Sequence, residues 1–299
     1  MRVLFTGGAS KLGGLVLRKL LDFSGIETIF CAVHRNVPEP HPKIQTFSFD
    51  LCGPVSLDSI EGPIDLAVHF AALSHSEKPE AYFQVNCEAT LELAEKSMAL
   101  GCRRFVYVSS YRAVKGAGAY GESKLRAEEG LMKMPWERLT IIRPSEVYGA
   151  GGNEGVDRLI RMAKKWRLVP MFFGQQGISF LPLFYLDFAD RAVEWILSEK
   201  TGNWVVFLCG PEELSGRKLS CSLAKKYRAL PLPLWWPLLK ASIRISSWLS
   251  VPLATPDQLQ RITSHPPRES FGEREIGENK RATFVLERFG RSFPHDSSG

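Results

Sequence analysis

Thr6-Gly7-Gly8-Ala9-Ser10-Lys11-Leu12-Gly13-Gly14 stands between an apolar run at residues 3–6 and a helical pattern that reaches about Leu21. A glycine-rich turn in that setting lets backbone N–H groups approach a pyrophosphate, and the positive end of the following helix stabilises its charge. Gly7 and Gly13 hold the outer positions of a G-x-x-G-x-x-G spacing, with Ser10 where the middle glycine would be. Such turns are common, so the weight comes from context: strand before, helix after, near the N-terminus.

Working outward, short apolar runs alternate with helical patterns. Residues 28–33, 44–49, 66–70, 105–109, 139–143 and 204–209 read as further strands, and residues 82–100 as a long helix stopped by Gly101. Residues 157–166 and 187–197 read as shorter helices. The alternation is that of βαβ units, so the expected fold class is α/β, a doubly wound parallel sheet of the Rossmann type. Residues 1–150 are expected to form a dinucleotide-binding domain, to which a strand and helix from about 180–209 return. Residues 151–299 are expected to build mainly a smaller, interleaved C-terminal substrate domain, Pro-rich, aromatic and basic from about Gly210.

The bulk numbers suit this reading. The chain has 299 residues, 44% hydrophobic and 23% charged, as in ordinary globular proteins. A net charge of +6 suits an anionic small molecule and is no nucleic-acid signature by itself. Arg158, Arg161, Lys164, Lys165 and Arg167 cluster, as do basic residues across 261–291; each set is either a solvated face or a diphosphate grip. The six cysteines show no C-x-x-C pair and no zinc spacing. No metal site is expected, and reduced, structural thiols point to a cytoplasmic protein. The N-terminus lacks the charged and apolar regions of a secretory signal. Residues 229–254 are apolar enough to suggest a membrane span, but Pro231, Pro233, Pro237, Lys240 and Arg244 rule out a plain spanning helix. Residues 238–249 fit an amphipathic helix, with Leu238, Ile245, Trp248 and Leu249 on one face. Packing onto the domain is the main reading; contact with a membrane or a hydrophobic substrate are lesser ones.

Two further places bear on chemistry. The second strand ends Cys31-Ala32-Val33-His34-Arg35, where an acidic residue would bond the ribose of NAD and a basic one would accommodate the 2′-phosphate of NADP. Arg35 favours NADP over NAD, unless it is merely a surface residue. Asp50-Leu51, after the third strand, could receive an adenine amino group or simply make a turn. The other place is Tyr120-Gly121-Glu122-Ser123-Lys124, whose phenol and ammonium lie one helical turn apart on the same face. A phenol is a poor base at neutral pH until a nearby cation stabilises its phenolate. Ser109 and Ser110 end the strand just upstream, where a hydroxyl could hold a substrate oxygen beside Tyr120.

In these residues the chain resembles the extended short-chain dehydrogenase/reductases, in particular the NAD-dependent epimerase/dehydratase family. The resemblance covers roughly residues 1–215. Besides the glycine-rich turn and Tyr120–Lys124 it rests on His69-Phe70-Ala71-Ala72, Val85-Asn86, Val108-Ser109-Ser110, Arg143-Pro144-Ser145-Glu146-Val147-Tyr148-Gly149 and Tyr185-Leu186-Asp187. It implies Gly7, Ser10, Lys11, Leu12 and Gly13 at the pyrophosphate, Asp50 and Leu51 at the adenine, and Phe70, Ala71, Ala72, Asn86 and Pro144 along the cofactor. It implies Tyr120 as acid/base and Lys124 as its partner at the nicotinamide ribose. The active-site Ser/Thr falls on Ser110 in one register and Tyr111 in another; Ser110 is preferred.

The implied activity is hydride transfer on a sugar, expected to be nucleotide-linked, by an epimerase or dehydratase. An NADPH-dependent ketoreductase and a non-catalytic dinucleotide-binding sensor or assembly subunit are the alternatives. The resemblance also implies a possible homodimer through the helices near Tyr82–Leu100 and Tyr120–Met134. One departure bears on substrate: 180–186 has no arginine before Asp187, so a less anionic substrate, or a grip by Arg158, Arg161 or Arg217, is expected.

Overall fold

The computed structural model describes residues 1–152, 155–173, 179–235, 273–275 and 281–294. Its centre is a sheet that starts from β1 (Arg2–Thr6), every residue of which is apolar or buried after the first. To one side of β1 lie β2 (Thr28–Val33) and β3 (Ile44–Ser48), and to the other β4 (Leu66–His69), β5 (Arg104–Val108) and β6 (Arg138–Pro144). All of these neighbours pair in parallel. The strand order reverses between β1 and β4, the switch point at which ligands of doubly wound folds lie. The glycine-rich turn leaves β1 at that point.

Helices cover both faces of the sheet. On one face α1 (Lys11–Leu21) and α6 (Tyr185–Leu197) bury Val16, Leu17, Leu20, Phe188, Ala192 and Trp195 against the strands. On the other, α3 (Ala89–Ala99) and α4 (Gly118–Leu131) bury Leu93, Ala94, Ala127 and Leu131. Strands covered on both sides read as continuous apolar runs rather than alternating ones. That is why the sequence marks them clearly.

The helix expected over residues 82–100 runs from α2 (Pro79–Phe83) to the end of α3, where Gly101 stops it at φ +82°. It differs from expectation in carrying a π-helical turn at Gln84–Glu88. Such a turn leaves carbonyls to find other partners. Here the Asn86 carbonyl accepts from the Thr90 hydroxyl at 3.0 Å and the Tyr107 hydroxyl at 3.3 Å.

Beyond residue 150 the chain both builds and borrows. Short strand pairs form a small module: β7 (Val147–Tyr148) with β10 (Leu183–Phe184), β8 (Leu168–Phe173) with β13 (Leu230–Trp235), and β9 (Ser179–Phe180) with β12 (Leu214–Ser215). The helices α5 (Gly155–Trp166) and α7 (Gly216–Tyr227) join them around a core of Tyr148, Val156, Val169, Phe184, Leu219 and Tyr227. Meanwhile β11 (Gly202–Cys209) pairs with β6 in the main sheet, as its sequence suggests. The sheet then continues with β15 (Arg281–Arg288), parallel to β11, and β14 (Glu273–Glu275), antiparallel to β15. This return of the C-terminal residues to the main sheet differs from expectation, because Arg281, Glu287 and Arg288 dilute the apolar signal of the strand. The amphipathic helix expected at residues 238–249 lies outside the described residues.

Candidate active site

The turn after β1 is shaped to bring backbone close to something else. Gly7 has φ +77°, and a Cβ there would lie 2.7 Å from the Ala71 nitrogen. A Cβ on Gly13 would lie 2.3 Å from the Gly7 carbonyl oxygen. Ser10 caps α1, its hydroxyl accepting from the Gly13 N–H at 3.0 Å. Ser10 takes the middle position because its side chain closes the turn, a service that glycine would not supply. Lys11 is exposed and donates across the cleft mouth to the Gly151 carbonyl. Asp157 accepts from the N–H groups of Gly149 (2.7 Å) and Gly152 (2.6 Å), which fixes that opposing loop. Leu12 is half-buried at the start of α1. These residues fit a dinucleotide: the glycines let the turn pack against its own backbone more closely than side chains would allow, and the turn sits at a helix N-terminus.

The ends of β2 and β3 form the next part. Asp50 accepts from the Cys52 N–H at 2.9 Å and faces His34 at 3.7 Å, with both side chains about half exposed. Arg35 is exposed, and its charge reaches the Cys52 thiol, which the structure therefore places in the same corner with Asp50 and Leu51. A cavity of about 620 Å³ opens against the glycine-rich turn, between α1 and the loop after β2, lined by Gly8, Ala9, Ser10, Lys11, Arg18 and His41 among others. Phe70, Asn86, Tyr120 and Lys124 do not line this cavity.

Beneath the turn runs a buried polar chain. The Ala71 N–H donates to the Thr6 hydroxyl (3.2 Å), Thr6 contacts His69 Nδ1 (2.6 Å), and His69 Nε2 contacts Thr90 (3.0 Å). The Thr90 proton goes to the Asn86 carbonyl. Thr90 must therefore accept from Nε2–H, and Nδ1 must accept from Thr6, which assigns His69 as the neutral Nε2–H tautomer. Burial, aided by the charge of Lys124, holds its pKa down at about 3. Phe70 stacks on Phe5 at 5.4 Å, and half-buried Ala71 and exposed Ala72 continue along the cleft. The Asn86 side chain is fully buried and exchanges two hydrogen bonds with the Leu73 backbone, at 2.8 and 3.0 Å. It anchors the loop after β4, and its side chain sits behind that loop.

Tyr120 and Lys124 share one face of α4. Tyr120 is partly exposed and meets Tyr82 edge-on at 6.0 Å. Lys124 is 1% exposed, donates to the Val108 carbonyl at 3.0 Å and lies 4.6 Å from the Tyr107 ring centre. Burial lowers its pKa to about 7, while the Glu128 carboxylate acts to raise it. Glu128 is itself buried and paired with Arg143 at 2.9 and 3.1 Å. It also accepts from the Ser109 hydroxyl. Of the two serines, Ser109 is thus committed to the core. Ser110 is half-buried, and its hydroxyl oxygen accepts from the Arg112 N–H at 3.1 Å. Tyr111 leans onto Phe207 at 6.2 Å, and burial pushes its hydroxyl up to about 12. Pro144 ends β6 beside it, accepting from the Tyr111 N–H at 2.9 Å.

Sequence reasoning missed the Glu128–Arg143 pair, although Glu128 stands four residues after Lys124 on the same helix face. It also missed the neutral His69. Asp187, with no arginine before it, accepts from the Arg291 N–H at 2.8 Å and pairs with its guanidinium at 3.5 Å. Arg161 is engaged by the Gly152 carbonyl, while Arg158 and Arg217 are exposed in the first turns of α5 and α7. Among the described residues no three metal-ligating side chains converge, and no helix is long and apolar enough to cross a membrane.

Comparison with known proteins agrees with this arrangement. UDP-glucose 4-epimerase of Vibrio cholerae is 28% identical over 201 residues, which cover 57% of this chain and 60% of that protein. The chain spans no more than that share of the curated relatives it matches. Among solved structures, UDP-glucuronic acid 4-epimerase from Bacillus cereus in complex with NAD superposes with a TM-score of 0.67. It is 20% identical, over 88% of this chain and 97% of that one. The dTDP-glucose 4,6-dehydratase DesIV from Streptomyces venezuelae, with NAD bound, gives 0.67 at 18% identity over 79% and 84%. At such identities the structures speak for the fold alone. The model of the NAD dependent epimerase/dehydratase family matches residues 3–176, more than half of the chain, and the chain belongs to that family.

Proposed function

We propose that this chain oxidises and re-reduces a carbon of a nucleotide-linked sugar, in the manner of an epimerase or dehydratase, with Tyr120 as acid/base. The observation that carries the reading is the pairing on α4 of a partly exposed phenol with a buried lysine fixed to the Val108 carbonyl. The bound dinucleotide supplies the site that takes up and returns hydride. Tyr120 takes the proton from the substrate hydroxyl as its carbon gives up hydride, and returns it when the carbonyl is reduced. Protonated Lys124 stabilises the phenolate, and Ser110 orients the substrate oxygen. Gly7, Ser10, Lys11, Leu12 and Gly13 would hold the pyrophosphate, with Phe70, Ala71, Ala72 and Pro144 along the cofactor and the small module around α5 and α7 holding the sugar. Asn86 would act by fixing the loop at Leu73.

A second reading, an NADPH-dependent ketoreductase, is favoured by one feature: Arg35 and His34 stand where a ribose-binding carboxylate would be. Retention or exchange of the dinucleotide separates the two.

The direct test is Tyr120→Phe, assayed with a panel of uridine and thymidine diphosphate sugars. The variant should keep its fold and its dinucleotide affinity while turnover falls by about 10²–10⁴-fold. Turnover at the wild-type rate would refute the assignment of Tyr120.

A further inference from the structure

The chain's charge is unevenly distributed. Residues 158–186 and 214–256 together contain twelve Lys and Arg and no Asp or Glu, whereas the rest of the chain holds 26 and 32. The net charge of +6 therefore comes entirely from these two segments, and the remainder is net negative. Their described parts meet in the module of α5, β8, α7 and β13.

The same module carries an exposed apolar strip among the described residues. Trp166, Leu168, Leu230 and Leu232 are 59%, 37%, 70% and 44% exposed. They are contiguous: Trp166 ends α5, Leu168 begins β8, and Leu230 is the Cα partner of Leu168 in the parallel pair. Leu230, Pro231 and Leu232 are all exposed along β13, while the flanking Val169 and Ala229 are buried in the module's core. Basic residues rim the strip. Lys165 lies 5.9 Å from the Trp166 ring centre, and exposed Arg167 and Arg228 immediately precede β8 and the Ala229-Leu230 step. Both arginines have positive φ, 55° and 50°, where glycine is the less strained residue.

We propose that this face docks on the surface of an anionic phospholipid bilayer, without spanning it. A nucleic acid would match the charge but leave three leucines against phosphate. An apolar protein partner would cover the leucines but leave the cations unmatched. A bilayer surface accepts both, with Trp166 and the leucines at the headgroup boundary and the lysine and arginine heads among the lipid phosphates.

The test is co-sedimentation of the full chain with vesicles of phosphatidylcholine, with and without about 30% phosphatidylglycerol. The chain should pellet with the anionic vesicles, and salt should release it. Leu230→Ser with Leu232→Ser, and separately Lys165→Gln with Arg228→Gln, should each weaken binding by roughly tenfold or more, with unchanged circular dichroism. Absence of pelleting, or variants that bind like the wild type, would overturn the proposal. So would a leucine variant that only changes the oligomeric state on sizing, since the strip would then be an interface between copies. The readout is independent of turnover, so its failure leaves the proposed chemistry untouched.

Discussion

The charge of Lys124 is under two opposed influences: burial lowers its pKa to about 7, and the Glu128 carboxylate one turn along α4 acts against that. His69, beside it, is held neutral by burial and by the same lysine. Both are bases whose folded pKa is depressed, so between folded and unfolded values the unfolded chain binds the extra proton and stability rises with pH. For His69 the window runs from about 3 to 6.5, and for Lys124 from about 7 to 10.5. Chemical denaturation across these windows should show stability climbing with pH, with the upper slope flattened in Lys124→Met and the lower one in His69→Gln. Unchanged slopes in both variants would mean that neither group is buried as described. The placement of Tyr120 and Lys124 on one helix face and of the glycines in one turn was legible in the sequence because it depends on spacing along one element. The neutral His69 and the commitment of Ser109 to Glu128 were not, since both depend on groups brought together from distant strands and helices.

The secondary-structure elements divide in a similar way. Strands β1, β2, β4, β5 and β6 are legible as apolar runs because both faces are covered, and α1 because Ser10 caps it. The π-helical turn at Gln84–Glu88 has no signal of its own; it shows only through where Asn86, Thr90 and Tyr107 meet. The strands β8 and β13 contain Pro170, Pro231 and Pro233, which argue against a strand in a central position and are tolerated in a two-stranded pair. The link between α4 and β6 is the buried Glu128–Arg143 pair, on which Ser109 also converges. Arg143→Met leaves a carboxylate buried without its cation, and should destabilise the fold by about 3–5 kcal/mol in urea unfolding. A loss under 1 kcal/mol would show that the pair is more hydrated than its burial implies. Replacing both partners with apolar residues should recover most of the loss.

At the scale of the whole molecule, the sheet supplies a switch point between β1 and β4, and the glycine-rich turn, the buried chain through His69 and the Tyr120–Lys124 pair all gather at its carboxyl ends. The α/β class and the interleaving of a smaller module follow from the alternation of runs along the chain. The addition of β15 to the far side of the sheet does not, because a strand with charged ends resembles a loop in sequence. What the sheet and its turn are arranged to do reduces to one question, whether they hold a nicotinamide dinucleotide. The measurement is to denature the purified protein, identify any nucleotide released, and titrate the emptied, refolded wild type and Gly13→Ala with NAD(H) and NADP(H). The expected result is one dinucleotide per wild-type chain, released or bound, and binding at least about tenfold weaker in Gly13→Ala, whose Cβ would lie 2.3 Å from the Gly7 carbonyl. Retained NAD(H) would favour the internal redox cycle, and tighter, exchangeable NADPH the ketoreductase. A wild-type chain that neither releases nor binds any of the four would contradict the account at its centre.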